Sequence, residues 1–163
     1  MSKVYALSGM RVAYLCGSLR HLSDLVPITP PWAVSLPAQV AAVKALGDSA
    51  YYQDRYRETR KLRQQLMEGL RGIGIREIVA GQANFVMFHL EPDQPSAATV
   101  VSEAGRRGVF FRDASPMGGE VGLRAIRLTV KDEEANKRIL ATLESVLSVG
   151  KFVVRRKDTS TDA

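Results

Sequence analysis

The stretch that decides the fold is MSKVYALSGMRVAYLCG, residues 1–17. It sets Lys3 before an apolar run, then Gly9 and Arg11, then the strand-like sequence VAYL. The first residues of a domain are usually loosely ordered, so a stretch as patterned as this one is unusual at a terminus. The pattern predicts a loop that enters an extended strand over residues 11–15.

Downstream, the stretch SLRHLSDLVPITPPW, residues 18–32, is predicted to be irregular, because its prolines at 27, 30 and 31 exclude a regular helix there. A helical spacing of apolar residues begins at Leu36 and ends at Gly47. Asp48 is then a candidate N-cap for a long helix that ends near Gly72. The apolar residues of this long helix fall mostly three or four positions apart, at Tyr52, Tyr56, Leu62, Leu66 and Leu70.

After the long helix the apolar pattern predicts the order β, β, α, β, β, α. The predicted strands are IREIVAG, ANFVMFHL, VFFRD and AIRLTV, and the predicted helices are AATVVSEAGRRG and KDEEANKRILATLESVL. This order describes a compact α/β layer over 75–149, which is the scale of a small domain. The residues before the long helix make no closed unit, because a single strand cannot bury both of its faces.

Composition excludes several classes of protein. The net charge is +6 and the pI about 9.7, but acidic residues interleave with basic ones, as in YYQDRYRETRKLRQQLMEGLR, which argues against nucleic-acid binding. The single cysteine, Cys16, excludes an internal disulfide and a cysteine-based metal cluster, and it makes the cytoplasm the expected compartment. The apolar runs are too short for a membrane span, and the N-terminus lacks a signal-peptide pattern.

The spacing of Ser2, Lys3, Gly9 and Arg11 before a strand resembles the signature around the cofactor lysine of pyridoxal-phosphate aminotransferases of classes I and II. It most resembles the histidinol-phosphate aminotransferase branch of that family. The resemblance continues in order to about residue 148, through PPWAVSLPAQVAAVKAL, QANFVMF, VFFRDAS and AIRLTVKDEEANKRIL.

The resemblance implies an α/β fold of the fold-type I class. Residues 1–47 are then a remnant of the large cofactor-binding domain, at its C-terminal edge. Residues 48–74 are the inter-domain helix, and residues 75–149 are the small C-terminal α/β domain. Residues 150–163 are expected to be a disordered tail.

The cofactor implied by the resemblance is pyridoxal 5'-phosphate (PLP). Lysine is the side chain that supplies an amine for a Schiff base, so Lys3 is implied as the catalytic residue that binds PLP and moves the substrate's proton. Arg11 would hold the cofactor's phosphate with its planar guanidinium, and Ser2 would add a hydroxyl donor. Gly9 would let the backbone turn tightly enough to bring Lys3 and Arg11 into one pocket.

Arginines later in the chain are the candidates for binding substrate. Arg127, in AIRLTV, occupies the position of the family's carboxylate-binding arginine, and Arg112, in VFFRDAS, is the candidate for a substrate phosphate. Arg124 is a further possibility for the phosphate. For Arg112 and Arg124 the alternative is an ordinary solvated arginine, and for Arg127 it is an outward-facing strand residue.

The implied activity is transfer of an amino group between an amino acid and a 2-oxo acid, with a phosphate-bearing amino acid among the candidates. A homodimer is expected for the complete enzyme. Two alternatives stay open: a PLP-dependent amino-acid decarboxylase of the same fold, and a non-catalytic remnant. The remnant would bind a partner through residues 12–15 and the proline-rich segment.

The sequence departs from the family pattern in three respects. It lacks the family's long N-terminal portion, which carries the aromatic that stacks on the cofactor ring and the carboxylate at the ring nitrogen. Ala13 and Lys131 stand where glycine is common in the family. We therefore expect the C-terminal part of a longer enzyme, unable to transaminate alone.

Overall fold

The computed structural model describes residues 1–79, 81–119 and 124–157, with side chains described up to residue 148. The chain divides into two compact units, Met1–Tyr56 (unit 1) and Arg57–Ala163 (unit 2). Each unit is described by itself below.

Unit 1 is built from a loop and helices. Its elements are a 3₁₀ turn at Ser8–Met10, helix α1 at Leu19–Leu25, a second 3₁₀ turn at Val26–Ile28, helix α2 at Leu36–Gly47, and the first turns of helix α3, which runs from Ser49 to Gly72. Asp48 caps α3 as predicted, because its Oδ1 accepts a hydrogen bond of 3.2 Å from the Tyr51 amide. The bounds predicted for α2 are also confirmed.

Two sequence-based predictions for unit 1 are wrong. Residues 11–15 form no strand: Arg11 is in the left-handed conformation with φ 50°, and residues 12–15 lie in irregular backbone. A strand requires a neighbour to satisfy its amides and carbonyls, and the described part of unit 1 offers none. The segment before the prolines is not irregular either, because α1 forms there. Ser18 caps it by accepting from the His21 amide at 3.3 Å, and the helix ends at Leu25, before Pro27, which has no amide to continue it.

Unit 2 is an antiparallel sheet with helices. Its elements after α3 are β1 (Ile78–Val79), β2 (Phe85–His89), α4 (Ala97–Arg106), β3 (Arg112–Asp113), a 3₁₀ turn (Ser115–Met117), β4 (Ala125–Thr129) and α5 (Glu133–Lys157). The strand order is β1-β2-β4-β3, and each neighbouring pair is antiparallel. The predicted order β, β, α, β, β, α is confirmed, although the first and third strands are two residues long.

One face of this sheet carries the core. Along β2, Val86 and Phe88 are buried and alternate with half-buried residues, as period-two pleating requires. Helices α3, α4 and α5 supply the rest of the core. The most deeply buried large side chains are Phe88, Leu66, Leu70, Ile75, Ile126, Leu128, Leu143, Val86 and Val100. Side chains on the opposite face of β2 and β4 point away from this core.

Helix α5 differs from the prediction at its end. It continues to Lys157, whereas the sequence analysis placed a disordered tail from Gly150 onwards. A glycine in a helix costs about 1 kcal/mol relative to alanine but does not forbid the helical conformation. No proline follows to stop it before Lys157. Residues 158–163 lie outside the described residues.

Candidate functional site

Lys3 lies in a turn at the start of unit 1. The Tyr5 amide donates to the Met1 carbonyl at 3.1 Å, and the Ala6 amide donates to the Lys3 carbonyl at 3.4 Å. The Lys3 side chain is exposed, and Ser2 beside it is half-buried. The turn therefore holds the Lys3 backbone while its amine stays accessible to a ligand.

The backbone between Lys3 and Arg11 is tightly wound, but not through Gly9. Ala6 (φ 53°) and Arg11 (φ 50°) adopt the left-handed conformation, which L-residues avoid at a cost of about 1–2 kcal/mol each. Gly9 lies in the 3₁₀ turn, has no positive φ, and has open space around an added Cβ. The sequence-based role for Gly9 is thus wrong, and the strain lies at Ala6 and Arg11. Strain of this kind concentrates at functional sites.

The guanidinium of Arg11 is exposed at the end of this loop. Its Nη1 donates one long hydrogen bond, of 3.4 Å, to the Ser8 carbonyl. A guanidinium carries five N–H donors, so most of them remain for another acceptor such as a phosphate oxygen. The exposed amine of Lys3 and this guanidinium are the cationic groups of the loop.

Two tyrosines of α3 contact the backbone next to Lys3. The Tyr56 hydroxyl donates to the Val4 carbonyl at 3.3 Å, and the Tyr52 hydroxyl donates to the Tyr5 carbonyl at 3.5 Å. Their spacing in the sequence predicts that both tyrosines belong to an apolar helix stripe, and it does not predict these contacts. A signal existed in their i, i+4 spacing, which places both hydroxyls on one helix face.

Arg112 and Arg127 are brought together in unit 2. They are direct partners across the antiparallel pair β3–β4, so their side chains leave the same face of the sheet, away from the core. Arg127 is half-buried, and its guanidinium lies 4.2 Å from the centroid of the Phe85 ring. Like charges directly opposite each other destabilise a sheet, so this pair is favourable only with anions nearby.

Arg124 has a structural role instead. Its side chain reaches back to the turn that follows β2 and donates to four backbone carbonyls: Leu90 at 3.2 Å, Glu91 at 2.8 Å, Pro95 at 3.0 Å, and Gln94. These bonds use the N–H groups of Nε and Nη2. They favour a structural role for Arg124 over the binding of a phosphate.

In the described part of the chain, no helix combines the length and the apolar character that a membrane crossing needs.

Known proteins resemble the chain over most of its length. A family model for class I and II aminotransferases matches residues 1–143. Histidinol-phosphate aminotransferase 1 of Cupriavidus pinatubonensis is 35% identical over 147 residues, which are 90% of this chain and 38% of the relative. The chain thus spans about two fifths of that curated relative.

Two solved structures have a similar fold. The histidinol-phosphate aminotransferase of Clostridium acetobutylicum superposes with a TM-score of 0.81 at 24% identity, covering 89% of this chain and 43% of that one. The histidinol-phosphate aminotransferase of Sinorhizobium meliloti, solved in complex with pyridoxal-5'-phosphate, also gives 0.81 at 23% identity, covering 91% of this chain and 40% of that one. At this level of identity the likeness shows the fold alone.

Proposed function

Because the chain belongs to the class I and II aminotransferase family, we propose that it is the part of a PLP-dependent aminotransferase that carries the cofactor lysine, Lys3. The observation that carries the proposal is the loop from Lys3 to Arg11, which presents an exposed amine and an exposed guanidinium from a wound backbone. The chain covers about two fifths of its curated relative, so the activity of the whole protein is part of the proposal.

The donors of this loop suit PLP in their chemistry. Lys3 Nζ would be the amine that condenses with the cofactor's aldehyde, with loss of water, and its exposure in the turn leaves it accessible for that reaction. Arg11 binds the phosphate through the N–H groups that the Ser8 carbonyl does not use, and Ser2 adds a hydroxyl. When bound, PLP withdraws electrons from the substrate's α-carbon. With the cofactor bound, Lys3 Nζ would take the proton from that carbon and deliver it to the cofactor, a shift that the transfer of the amino group requires.

Arg127 and Arg112 supply the substrate-binding cations in this proposal. Arg127 binds the carboxylate of the amino acid or 2-oxo acid, and Arg112 binds a second anion such as a phosphate ester. Their opposed positions across β3–β4 support this assignment, because two neighbouring cations favour a ligand with two negative groups. The name of the Cupriavidus pinatubonensis relative, histidinol-phosphate aminotransferase, supports a phosphate-bearing substrate.

Partners and location follow from the same reasoning. The family membership supports amino-acid and 2-oxo-acid substrates and a homodimer of the complete enzyme. The low cysteine content supports a cytoplasmic location.

A second candidate function is a non-catalytic, partner-binding module. One observation favours it: the apolar residues of α2 that face away from its buried alanines are exposed, namely Leu36, Val40, Val43 and Leu46. In the stretch first suggested as an interface, Tyr14 and Leu15 are exposed, but Val12 is buried.

Borohydride trapping of added PLP on the purified chain tests the proposal. We expect an absorbance band at roughly 400–430 nm and, after reduction and peptide mapping, an adduct concentrated on Lys3. The band should be lost in Lys3→Ala and kept in the matched variant Lys44→Ala, which removes another exposed lysine of unit 1. Equal labelling of Lys3 and Lys44 would contradict the proposal and leave the partner-binding module as the better reading.

A further inference from the structure

We propose that Tyr52 and Tyr56 are positioning residues for Lys3, because their hydroxyls hold the backbone carbonyls of the two residues that follow it. The inference rests on the proposed role of Lys3 and extends it to two residues of α3.

The orientation of Lys3 comes from its backbone and not from contacts of its side chain. Its side chain is exposed, and the described structure shows no hydrogen bond or ion pair from its amine. Contacts of the side chain therefore cannot fix the direction in which the amine leaves the loop. The direction must come from the backbone of Lys3 and of its neighbours Val4 and Tyr5.

Two hydrogen bonds from α3 reach this backbone. Tyr56 donates to the Val4 carbonyl at 3.3 Å, and Tyr52 donates to the Tyr5 carbonyl at 3.5 Å. The donors lie one helical turn apart on α3, and the acceptors are consecutive in the loop. Because two consecutive carbonyls of the loop accept hydrogen bonds from α3, the peptide between them cannot rotate without breaking one of these two hydrogen bonds.

Packing between aromatic rings also holds the loop at Tyr5. The rings of Tyr5 and Tyr52 meet edge to face, with centroids 4.8 Å apart and planes at 73°. The Tyr52 ring also packs against Tyr51, at 5.1 Å and 88°, and lies 6.3 Å from the Tyr56 ring. Edge-to-face contact is a favourable arrangement of aromatic rings, so Tyr5 is held through both its side chain and its carbonyl.

The protonation of Tyr56 is consistent with a donor role. Partial burial raises the pKa of its hydroxyl above the ordinary value, and the neighbouring hydroxyls of Tyr5, Tyr52 and Tyr14 raise that pKa further. A raised pKa keeps the phenol protonated, and the Val4 carbonyl can only accept. The Tyr56 hydroxyl therefore stays protonated and able to donate at neutral pH.

The backbone strain next to these contacts points the same way. Ala6 follows the gripped carbonyls directly and is held at φ 53°. An alanine keeps such a conformation only where its surroundings enforce it. The two tyrosine contacts and the packed Tyr5 ring are long-range contacts at this turn, and they contribute to the enforcement together with the packing of Met1 and Leu7 against the apolar cluster of Val12, Ala38 and Ala42.

The test uses the full chain and removes only the two hydroxyls. The double variant Tyr52→Phe/Tyr56→Phe keeps both rings. Tyr51→Phe is the matched control, because Tyr51 belongs to the same ring cluster but its hydroxyl makes no hydrogen bond to the loop among the described residues. The readout is the rate of PLP trapping at Lys3 divided by the rate at Lys44, measured by peptide-resolved mass spectrometry. Hydrogen exchange of the Tyr5 and Ala6 amides is followed in parallel.

We expect the trapping ratio to fall about five-fold or more in the double variant, as the loss of two weak hydrogen bonds implies, while Tyr51→Phe stays near wild type. Exchange at Tyr5 and Ala6 should accelerate by a similar factor. Faster exchange with an unchanged trapping ratio would make the tyrosines merely structural and overturn the proposal. An equal fall in Tyr51→Phe would overturn it as well.

The same experiment separates this inference from the function on which it rests. If the wild-type chain shows no preference for Lys3 over Lys44, the proposed role of Lys3 fails before any tyrosine is changed, and the positioning role falls with it. If wild type prefers Lys3 and the double variant keeps that preference, only the positioning role fails.

Discussion

Unit 2 and unit 1 bury their apolar side chains to very different extents. Unit 2 surrounds Phe88, which is 0% exposed, with large residues from its helices and its two long strands. The buried apolar residues of unit 1 are Val12 and the alanines of α2, while Trp32 is 94% exposed. A large core stabilises a domain on its own, and a few small buried residues do not. The proposed cofactor residues thus belong to the unit with the weaker core.

The largest expected effect comes from truncating one apolar residue in each unit. Phe88→Ala should lower the free energy of unfolding by about 3–5 kcal/mol, because the ring is fully buried and its loss leaves a cavity. Val43→Ala in α2 should change it by less than about 0.5 kcal/mol, because Val43 is 70% exposed. Urea denaturation followed by circular dichroism measures both. Similar decreases in the free energy of unfolding for the two variants would contradict the difference between the cores of the two units.

Replacement of one arginine in each unit, Arg124 in unit 2 and Arg11 in unit 1, should also affect stability unequally. Arg124→Gln should cost about 1–3 kcal/mol, because four carbonyls of unit 2 lose a charged donor. Arg11→Gln in unit 1 should cost less than about 0.5 kcal/mol, since one long bond is lost at an exposed site. Both residues have left-handed backbone, at φ 55° and 50°, so that contribution is matched. Urea denaturation measures the free energy of unfolding of both variants. A larger loss for Arg11→Gln than for Arg124→Gln would contradict the prediction.

Substitution of a helix glycine by alanine should also have different effects on stability in the two units, at Gly69 in unit 2 and Gly47 in unit 1. A Cβ on Gly69 would meet the side chain of Leu140 on α5, with Cδ2 at 3.1 Å and Cδ1 closer still. Overpacking costs about 1–3 kcal/mol, and the higher helix propensity of alanine returns about 1 kcal/mol, so Gly69→Ala should destabilise by about 1 kcal/mol. Gly47→Ala, which has open space, should be neutral or stabilising by up to about 1 kcal/mol.

A second variant checks the cause. In a Leu140→Ala background the obstructing side chain is gone, so Gly69→Ala should become neutral or stabilising. Thermal denaturation of the four combinations measures the coupling. If Gly69→Ala costs as much in that background as in wild type, contact with Leu140 is not the reason.

The smallest expected effect is a pH-dependent one at the start of α5. Glu133 and Lys137 are paired at 2.7 Å, and the hydrogen bond from Lys137 holds the pKa of Glu133 below its ordinary value. A carboxyl whose pKa is lower in the folded state contributes stability above its unfolded pKa, and that contribution is lost as the pH falls through the folded value. Glu133→Gln should therefore lower the melting temperature slightly at neutral pH.

The difference should vanish as the pH falls through the acidic range in which Glu133 becomes protonated. Glu134→Gln is the control, because it removes an acidic residue from the same first turn without touching the pair. Melting curves at neutral and acidic pH compare the variants. An identical response of both would assign the effect to the helix terminus and not to the ion pair.

Much of the fold could be predicted because local signals determine it. The long helix follows from apolar residues three or four positions apart and from the cap at Asp48, and β2 and β4 follow from their short apolar runs. The strand predicted over 11–15 failed because pairing depends on a neighbour, which no local pattern reports. The continuation of α5 to Lys157 was missed because Gly150 weakens a helix without ending it.

The candidate site could likewise be predicted from the sequence only in part. The motif spacing identified Lys3 and Arg11 as candidates, but it assigned the tight turn to Gly9, whereas the positive φ angles fall at Ala6 and Arg11. The pairing of Arg112 with Arg127 depends on strand register, and the contact of Tyr56 with Val4 joins residues 52 positions apart. Tertiary structure alone creates such proximities, so the sequence offered candidates and not their arrangement.

The edges of the sheet have a consequence for behaviour at high concentration. The outer strands β1 and β3 are two residues long, whereas the inner strands β2 and β4 are five. A strand from another molecule would find few backbone groups to pair with along either edge, and at β3 it would also meet the charge of Arg112. Short edge strands, one of them charged, discourage the pairing of sheets from different molecules, so the geometry of unit 2 works against aggregation of this kind.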